Sequence, residues 1–396
     1  MNKTLGQFSN ELRLMLACAY HDADHPLSDE MTGLLASPID WDLFLKLSHH
    51  HRVDPLVYRT LCYLQDGIIP ETVLSALQTQ CRKNAVQAVQ MAAVTARLVT
   101  CFATNGIRTV VLKGPPLAQG LYGNVALRPS HDIDLLVWPE DLTTACTVLE
   151  KEGYRRIHPD FPLTRRRLQL YLKVAHHFSY LHQKTGVLVE LHWRLGHCGI
   201  ELPLPQTDQI TIYKLGGRDV PVLTAEDGLL FLVLHGVSHS WFRLRWLLDI
   251  GKLLDHELDW DRIVMRARKM GIPAYVDQAL ILADQLLGAP IPARFHEALA
   301  KDRRARRLAE MAVSFIIKFK YDPFDLNRPS DVGLYLLWKK YNYQVRVGLR
   351  NKLKYIGNHF KPSEVDIQWI ALPDILFPLY YIIRPFFWVK RRLFNH

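Results

Sequence analysis

Apolar positions recur at helical spacing over Leu12–Tyr20, Trp41–Leu47, Pro55–Leu64 and Glu71–Phe102, which predicts a helical start to the chain. Ser37-Pro38 and Gly67-Ile68-Ile69-Pro70 punctuate these segments. The period then changes. Thr109–Leu112 and Leu135–Trp138 are short β-branched and aliphatic runs of the kind that form inner strands. Pro115, between them, stands where a helix can begin, because its missing N–H would be an orphan there. Pro139–Glu152 predicts a helix with Gly153 past its end, and His176–His182 and Val187–Trp193 predict two strands joined across Gln183-Lys184-Thr185-Gly186. Residues 196–222 read as a Gly/Pro-rich connector with a short β pattern. From Thr224, whose Thr-x-x-Asp start resembles a capping box, helical spacing returns over Leu229–His239, Arg243–Leu254, Trp260–Met270, Tyr275–Leu287 and Ala293–Lys318. The pattern predicts an α+β chain in four stretches. These are a helical region 1–108, a small mixed-sheet domain 109–222, a helical domain 223–330, and an aromatic and basic tail 331–396 packing on that domain.

Composition narrows the setting more than the fold. With 396 residues, 49% apolar and 22% charged, the chain can bury a substantial core. A net charge of +10 implies an anionic partner: a nucleotide, a nucleic acid or an anionic membrane surface. Six scattered cysteines without a C-x-x-C pair argue against metal knuckles and a dense disulfide framework, so reduced thiols and a cytoplasmic location are expected. The N-terminus lacks a secretory apolar region, and no run reaches the roughly 18 consecutive apolar residues of a membrane span. In the tail, Tyr380–Phe394 sets aromatics beside Lys390-Arg391-Arg392, as a peripheral membrane anchor would, although Pro378 and Pro385 interrupt any long amphipathic helix.

Candidate chemistry concentrates in Thr109–Trp138. Strand side chains alternate, so Asp132 and Asp134 share one face while Ile133 points to the other. Two adjacent carboxylates repel unless a cation joins them, and hard divalent ions take carboxylate and phosphate oxygens. The alternative is a strand-end pair that caps loops or pairs Arg128. Glu190 lies mid-strand among Val and Leu, costly to bury unless paired or bound to a metal. His235 and His239 share a helix face, but Gly236 stands where the zinc pattern H-E-x-x-H has its Glu. Base stacking, acceptor recognition and packing as core histidines all remain open for them. Arg243 and Arg245 extend that segment, and Asp249 is expected to hold an arginine. His49-His50-His51 reads as a solvated helix end, and Arg155-Arg156 and Arg165–Arg167 as a solvated basic face or a phosphate-contacting rim.

VVLKG at Val110–Gly114, LAQGLY at Leu117–Tyr122, LRPSHDIDLLV at Leu127–Val137, VELHW at Val189–Trp193 and HGVSHSWFRLRWLLD at His235–Asp249 together carry a resemblance. The chain resembles the bacterial uncharacterised nucleotidyltransferases of the DNA polymerase β-type superfamily over nearly its whole length. The resemblance implies transfer of a nucleoside monophosphate from an NTP to a hydroxyl-bearing acceptor (a small molecule, a sugar or a protein), with release of pyrophosphate. It implies Mg²⁺ or Mn²⁺, two ions, held by Asp132, Asp134 and Glu190, with Glu190 nearest the acceptor hydroxyl. Gly114 takes the place of the superfamily's Gly-Ser turn at the triphosphate, with Lys113 and Arg128 as phosphate-binding candidates alongside His235, His239 and Arg243. Pro115-Pro116 departs from that turn and removes two backbone donors. Two other functions compete: nucleotide addition to RNA, which the basic patches Lys301–Arg307 and Lys339–Lys354 would suit, and a silent nucleotide-binding scaffold, against which the intact acidic set argues.

Overall fold

The computed structural model describes residues 5–21, 26–64, 67–197, 200–318 and 332–358, with 360, 370, 372–373, 376, 379–384 and 386. Its strands are β1 (Thr109–Val111), β2 (Asp132–Val137), β3 (Tyr154–His158), β4 (His177–His182), β5 (Leu188–His192), β6 (Leu195–His197), β7 (Ile200–Leu202), β8 (Ile210–Leu215) and β9 (Arg218–Leu223). Seven of them form one mixed sheet in the order β3-β4-β5-β2-β1-β9-β8, and β6 and β7 form a separate hairpin. The α+β class is therefore the observed one, with helices flanking the sheet.

The stretch 196–222 holds more β structure than its Gly/Pro content suggests. Gly216 and Gly217, at φ 55° and 79°, make the two-residue turn that joins β8 to β9. Strand β9 then pairs in parallel with β1, so the segment completes the main sheet. Edge strand β8 alternates weakly because much of it is exposed, which leaves little periodic signal.

Alternation on the sheet sorts two faces. Ile133, Leu135, Val137, Val189 and Leu191 pack into a core with Met91, Leu98, Val99 and Phe102 of the Glu71–Thr104 helix and with the Leu142–Lys151 helix. The opposite face carries the acidic residues. A second, larger core joins the N-terminal helices (Leu14, Met15, Phe44) to the C-terminal ones (Leu247, Tyr275, Phe315). This core crosses the four stretches marked out along the chain, because segments far apart in sequence bury their apolar stripes against each other. The Glu71–Thr104 helix spans both cores, with Val73 and Leu77 in the larger and Met91–Phe102 in the other. It is long and apolar enough to cross a membrane by length and composition alone. Its buried positions (Asn84, Ala88, Met91, Thr95, Leu98, Phe102) form one stripe against the protein instead.

The Ala225–Ser238 helix closes over the acidic face. Thr224 precedes it without a capping bond to the backbone; its hydroxyl donates to Asp227, which also pairs Arg266. After the helix, Ser240 and Trp241 take left-handed backbone (φ 53° and 59°), and the Trp241 N–H donates to the Gly236 carbonyl at 2.9 Å. The fully buried Trp241 ring lies against Gly236, where an added Cβ would overlap it. This explains the glycine of the His235-Gly236-Val237-Ser238-His239 run. Gly236→Ala is expected to cost about 2 kcal/mol by overpacking, read as a lower urea midpoint at unchanged m-value.

In the tail, the Tyr380 hydroxyl donates to the Ile370 carbonyl and accepts from the Leu372 N–H, and its ring is buried. Lys390-Arg391-Arg392 of the expected membrane anchor lies outside the described residues.

Candidate functional site

Parallel pairing of β2 with β5 places Asp134 opposite Glu190 and Leu136 opposite His192. Antiparallel pairing of β5 with β4 sets His177 opposite His192. Directly paired residues share a face, so Asp132, Asp134, Glu190, His192 and His177 emerge together. They line a cleft of about 280 Å³ with Lys113, His176 and Arg194, and with Phe231, His235 and His239 of the closing helix.

Charge balance in the cleft centres on Lys113 and His192. Lys113, 9% exposed, places Nζ 3.2 Å from Asp132 Oδ2 and 2.8 Å from Asp134 Oδ2. The second contact is an ion pair without hydrogen-bond alignment, and Asp134 Oδ2 is buried with no aligned donor. Burial works against the ammonium charge, but Asp132, Asp134 and Glu190 outweigh it and raise the pKa. The phosphate role expected for Lys113 therefore meets a lysine already neutralising three carboxylates.

His192 Nε2 lies 3.3 Å from Asp134 Oδ1 and 3.4 Å from Glu190 Oε2. Burial pulls this imidazole down, but the bonds and charges of Asp134 and Glu190 lift it to about 9. Burial raises Glu190, but its bond to His192 together with the charges of His192 and Lys113 outweighs that and holds the carboxyl below its ordinary range. With no ion bound, these partners favour the charged form of His192 at neutral pH. Its proton is held more tightly folded than unfolded, so this contribution is whole below about pH 6.5 and is lost as pH rises through about 9. Unfolding in urea with EDTA should show the wild type losing on the order of 2–3 kcal/mol between about pH 6.5 and 10, and His192→Gln losing far less. An equal slope in both proteins would refute the assignment.

Asp134, Glu190 and His192 each offer one ligand atom within 4.8 Å of the others, and His176, His177 and His192 form a second such set. Asp132 belongs to neither set; its carboxylate, partly exposed, reaches Lys113. Two carboxylates with an imidazole suit Mg²⁺ or Mn²⁺, the imidazole favouring Mn²⁺. The acidic set was visible in the sequence. His176 and His177 beside it were not, since they gain their place only through the β4–β5 pairing.

Gly114, at φ 90°, turns from β1 into the Pro115–Tyr122 helix, a backbone region that L side chains rarely adopt. Arg128 is paired with an aspartate. Its guanidinium, 2% exposed, grips Asp249 through Nε and Nη2 at 2.8–2.9 Å, and the Tyr122 hydroxyl donates to the same carboxylate. Asp249 thus holds an arginine, and a fully buried aspartate claims the nearest one. Arg243 precedes the Leu244–Leu254 helix with its guanidinium over the Phe242 ring, and it is not among the residues lining the cleft. His235 and His239 do line it and also touch Trp246, so they join a wall to a core. His51 is buried rather than solvated and accepts the Leu244 N–H at Nδ1, while His49 is exposed. Arg155 and Arg156 line a separate cavity with Glu150, Asp160 and Gln183.

A family model described as uncharacterised nucleotidyltransferase matches residues 37–288, more than half of the chain, and that span includes every residue of the cleft. No curated protein and no solved structure matches the chain.

Proposed function

The chain belongs to the uncharacterised nucleotidyltransferase family, and from that premise we propose that it is a divalent-metal-dependent enzyme moving a nucleoside monophosphate from an NTP to a hydroxyl-bearing acceptor. The observation that carries the metal-dependent part is the register of Asp134 against Glu190, which brings carboxylates from two strands to one buried point with His192. Asp134, Glu190 and His192, with Asp132 beside them, would hold the ion. An ion held there would supply charge neutralisation for the transferring phosphoryl group.

The chain's own residues do the rest. The acceptor oxygen forms a bond to the α-phosphorus as the bond to the bridging oxygen breaks, and pyrophosphate leaves. Glu190, kept ionised at neutral pH, stands ready to take the hydroxyl proton. His192, with Nε2 3.4 Å from Glu190 Oε2, keeps that carboxylate in place and would give up its proton to hold the ion. Phe231, His235 and His239 offer flat surfaces across the cleft against which a base can stack.

Incubation of the full chain with each labelled NTP, MnCl₂ or MgCl₂ and a cell extract tests this. The expected result is label transferred to an acceptor from one preferred NTP, abolished by EDTA. Transfer that persists undiminished in EDTA would refute metal dependence, and no transfer from any NTP would refute the activity.

A further inference from the structure

Exposed large apolar side chains are unevenly spread over the surface. Among the described residues, most of them lie beyond residue 332. The Val332–Val345 helix buries Leu334, Tyr341 and Val345 in the larger core. On its outer side Leu336, Lys340 and Tyr343, spaced i, i+4 and i+7, share one exposed face. The Leu349–Asn358 helix goes further. Its apolar stripe is Leu349, Leu353 and Ile356, again at i, i+4 and i+7, and all three are exposed, Leu349 by 71%. A surface helix of a globular protein turns such a stripe towards the core; this one turns it to solvent.

Charge decides what suits that face. At 3.6 residues per turn, Arg350 falls on one side of the Leu349–Ile356 stripe and Lys352 on the other. Lys352 Nζ sits 4.9 Å from the centre of the Tyr343 ring, which joins the exposed faces of the two helices. Residues 332–358 contain lysines and arginines but no Asp or Glu. Two copies of this face would bring like charges together, which disfavours self-association. A nucleic acid would meet the cations, but Leu336, Leu349, Leu353 and Ile356 give its bases no aromatic surface to stack on. An anionic bilayer satisfies both halves of the pattern. Its acyl boundary takes the Leu and Ile side chains, and its headgroup phosphates take the Lys and Arg.

We propose that this joint face docks on an anionic phospholipid membrane, with the Leu349–Asn358 helix lying in the headgroup plane. The contact is peripheral, because a helix of 10 residues is too short to cross a bilayer. It stands independently of what the cleft transfers.

The test is co-sedimentation of the full chain with phosphatidylcholine vesicles, with and without phosphatidylglycerol as a minor component. The wild type should pellet with the anionic vesicles and stay largely in solution with the neutral ones. Leu349→Ser with Leu353→Ser removes two exposed side chains and should weaken partitioning by about tenfold or more. Lys340→Gln with Arg350→Gln should weaken it by about tenfold on anionic vesicles, and high salt should do the same to the wild type. Circular dichroism of each variant should match the wild type, since all four side chains are exposed. No pelleting of the wild type, equal pelleting with both kinds of vesicle, or unchanged pelleting of the leucine variant would each overturn the proposal. A wild-type dimer that the leucine variant dissolves, without vesicle binding, would assign the face to a second copy. Retention of single-stranded RNA lost in the Lys340→Gln, Arg350→Gln variant, again without vesicle binding, would assign it to nucleic acid; either result overturns the membrane reading.

Discussion

Asp134→Asn is expected to abolish nucleotidyl transfer, with a rate loss on the order of a thousandfold or more. The side chain keeps its shape, but the buried point where two strands converge loses its charge. Asp134 is 1% exposed and faces Lys113 at 2.8 Å and His192 at 3.3 Å, so no water or neighbouring carboxylate substitutes for it. Lys113 retains Asp132, and His192 retains Glu190, which lets the variant fold. Labelled-NTP transfer and circular dichroism, measured on the same preparation, separate the two effects. A folded variant within tenfold of the wild-type rate would remove Asp134 from the catalytic set.

The largest stability effect is expected at the Arg128–Asp249 pair. Both side chains are almost wholly buried, and the carboxylate also accepts from Tyr122. Removing either partner strands a charge in the interior, so Asp249→Ala or Arg128→Ala should cost about 3–5 kcal/mol. The double replacement Arg128→Met with Asp249→Leu should recover most of that loss, because an apolar pair of similar volume needs no desolvation of ions. Urea denaturation of the four proteins measures the loss and its recovery. Single variants costing less than about 1 kcal/mol would show the pair to be energetically idle. The pair also bears on chemistry. It ties the loop before Asp132 to the Leu244–Leu254 helix, and Arg245 on that helix holds the Pro129 carbonyl. A rescued double variant that remains slow would show that this tie positions the loop.

How far the chain could be read in advance depended on how local each signal was. The helices Trp41–His51, Glu71–Thr104 and Leu244–Leu254 follow from apolar spacing, whereas the Asp29–Leu35 helix is too short to show a period. Ala293–Lys318 read as one helix but is broken at Asp302, whose side chain caps the Arg303–Ile317 helix by accepting from Arg304 and Ala305. That aspartate has a consequence for Asp277. Burial, then the Asp302 charge, pushes Asp277 up to about 6. With the folded pKa above the unfolded one, stability falls as pH rises from about 4 to 6. Asp277→Asn should therefore raise the melting temperature at pH 7 by a few degrees and flatten that slope, a gain of about 1 kcal/mol once partial exposure is allowed for.

The sequence by itself determined the α+β class, the strand that carries Asp132 and Asp134 on one face, and the family to which the chain belongs. These depend on periods of two and 3.6 residues and on short motifs, all of which are written within a few neighbours. Tertiary structure alone decided that Asp134 lies against Glu190 and His192, that Arg128 serves Asp249, and that Arg245 holds the Pro129 carbonyl. Those partners lie far apart in the chain, and each pairing depends on strand register or on helices docking into a shared core. A charge in water has no fixed partner; burial supplies one, and which one depends on what else the fold brings within reach.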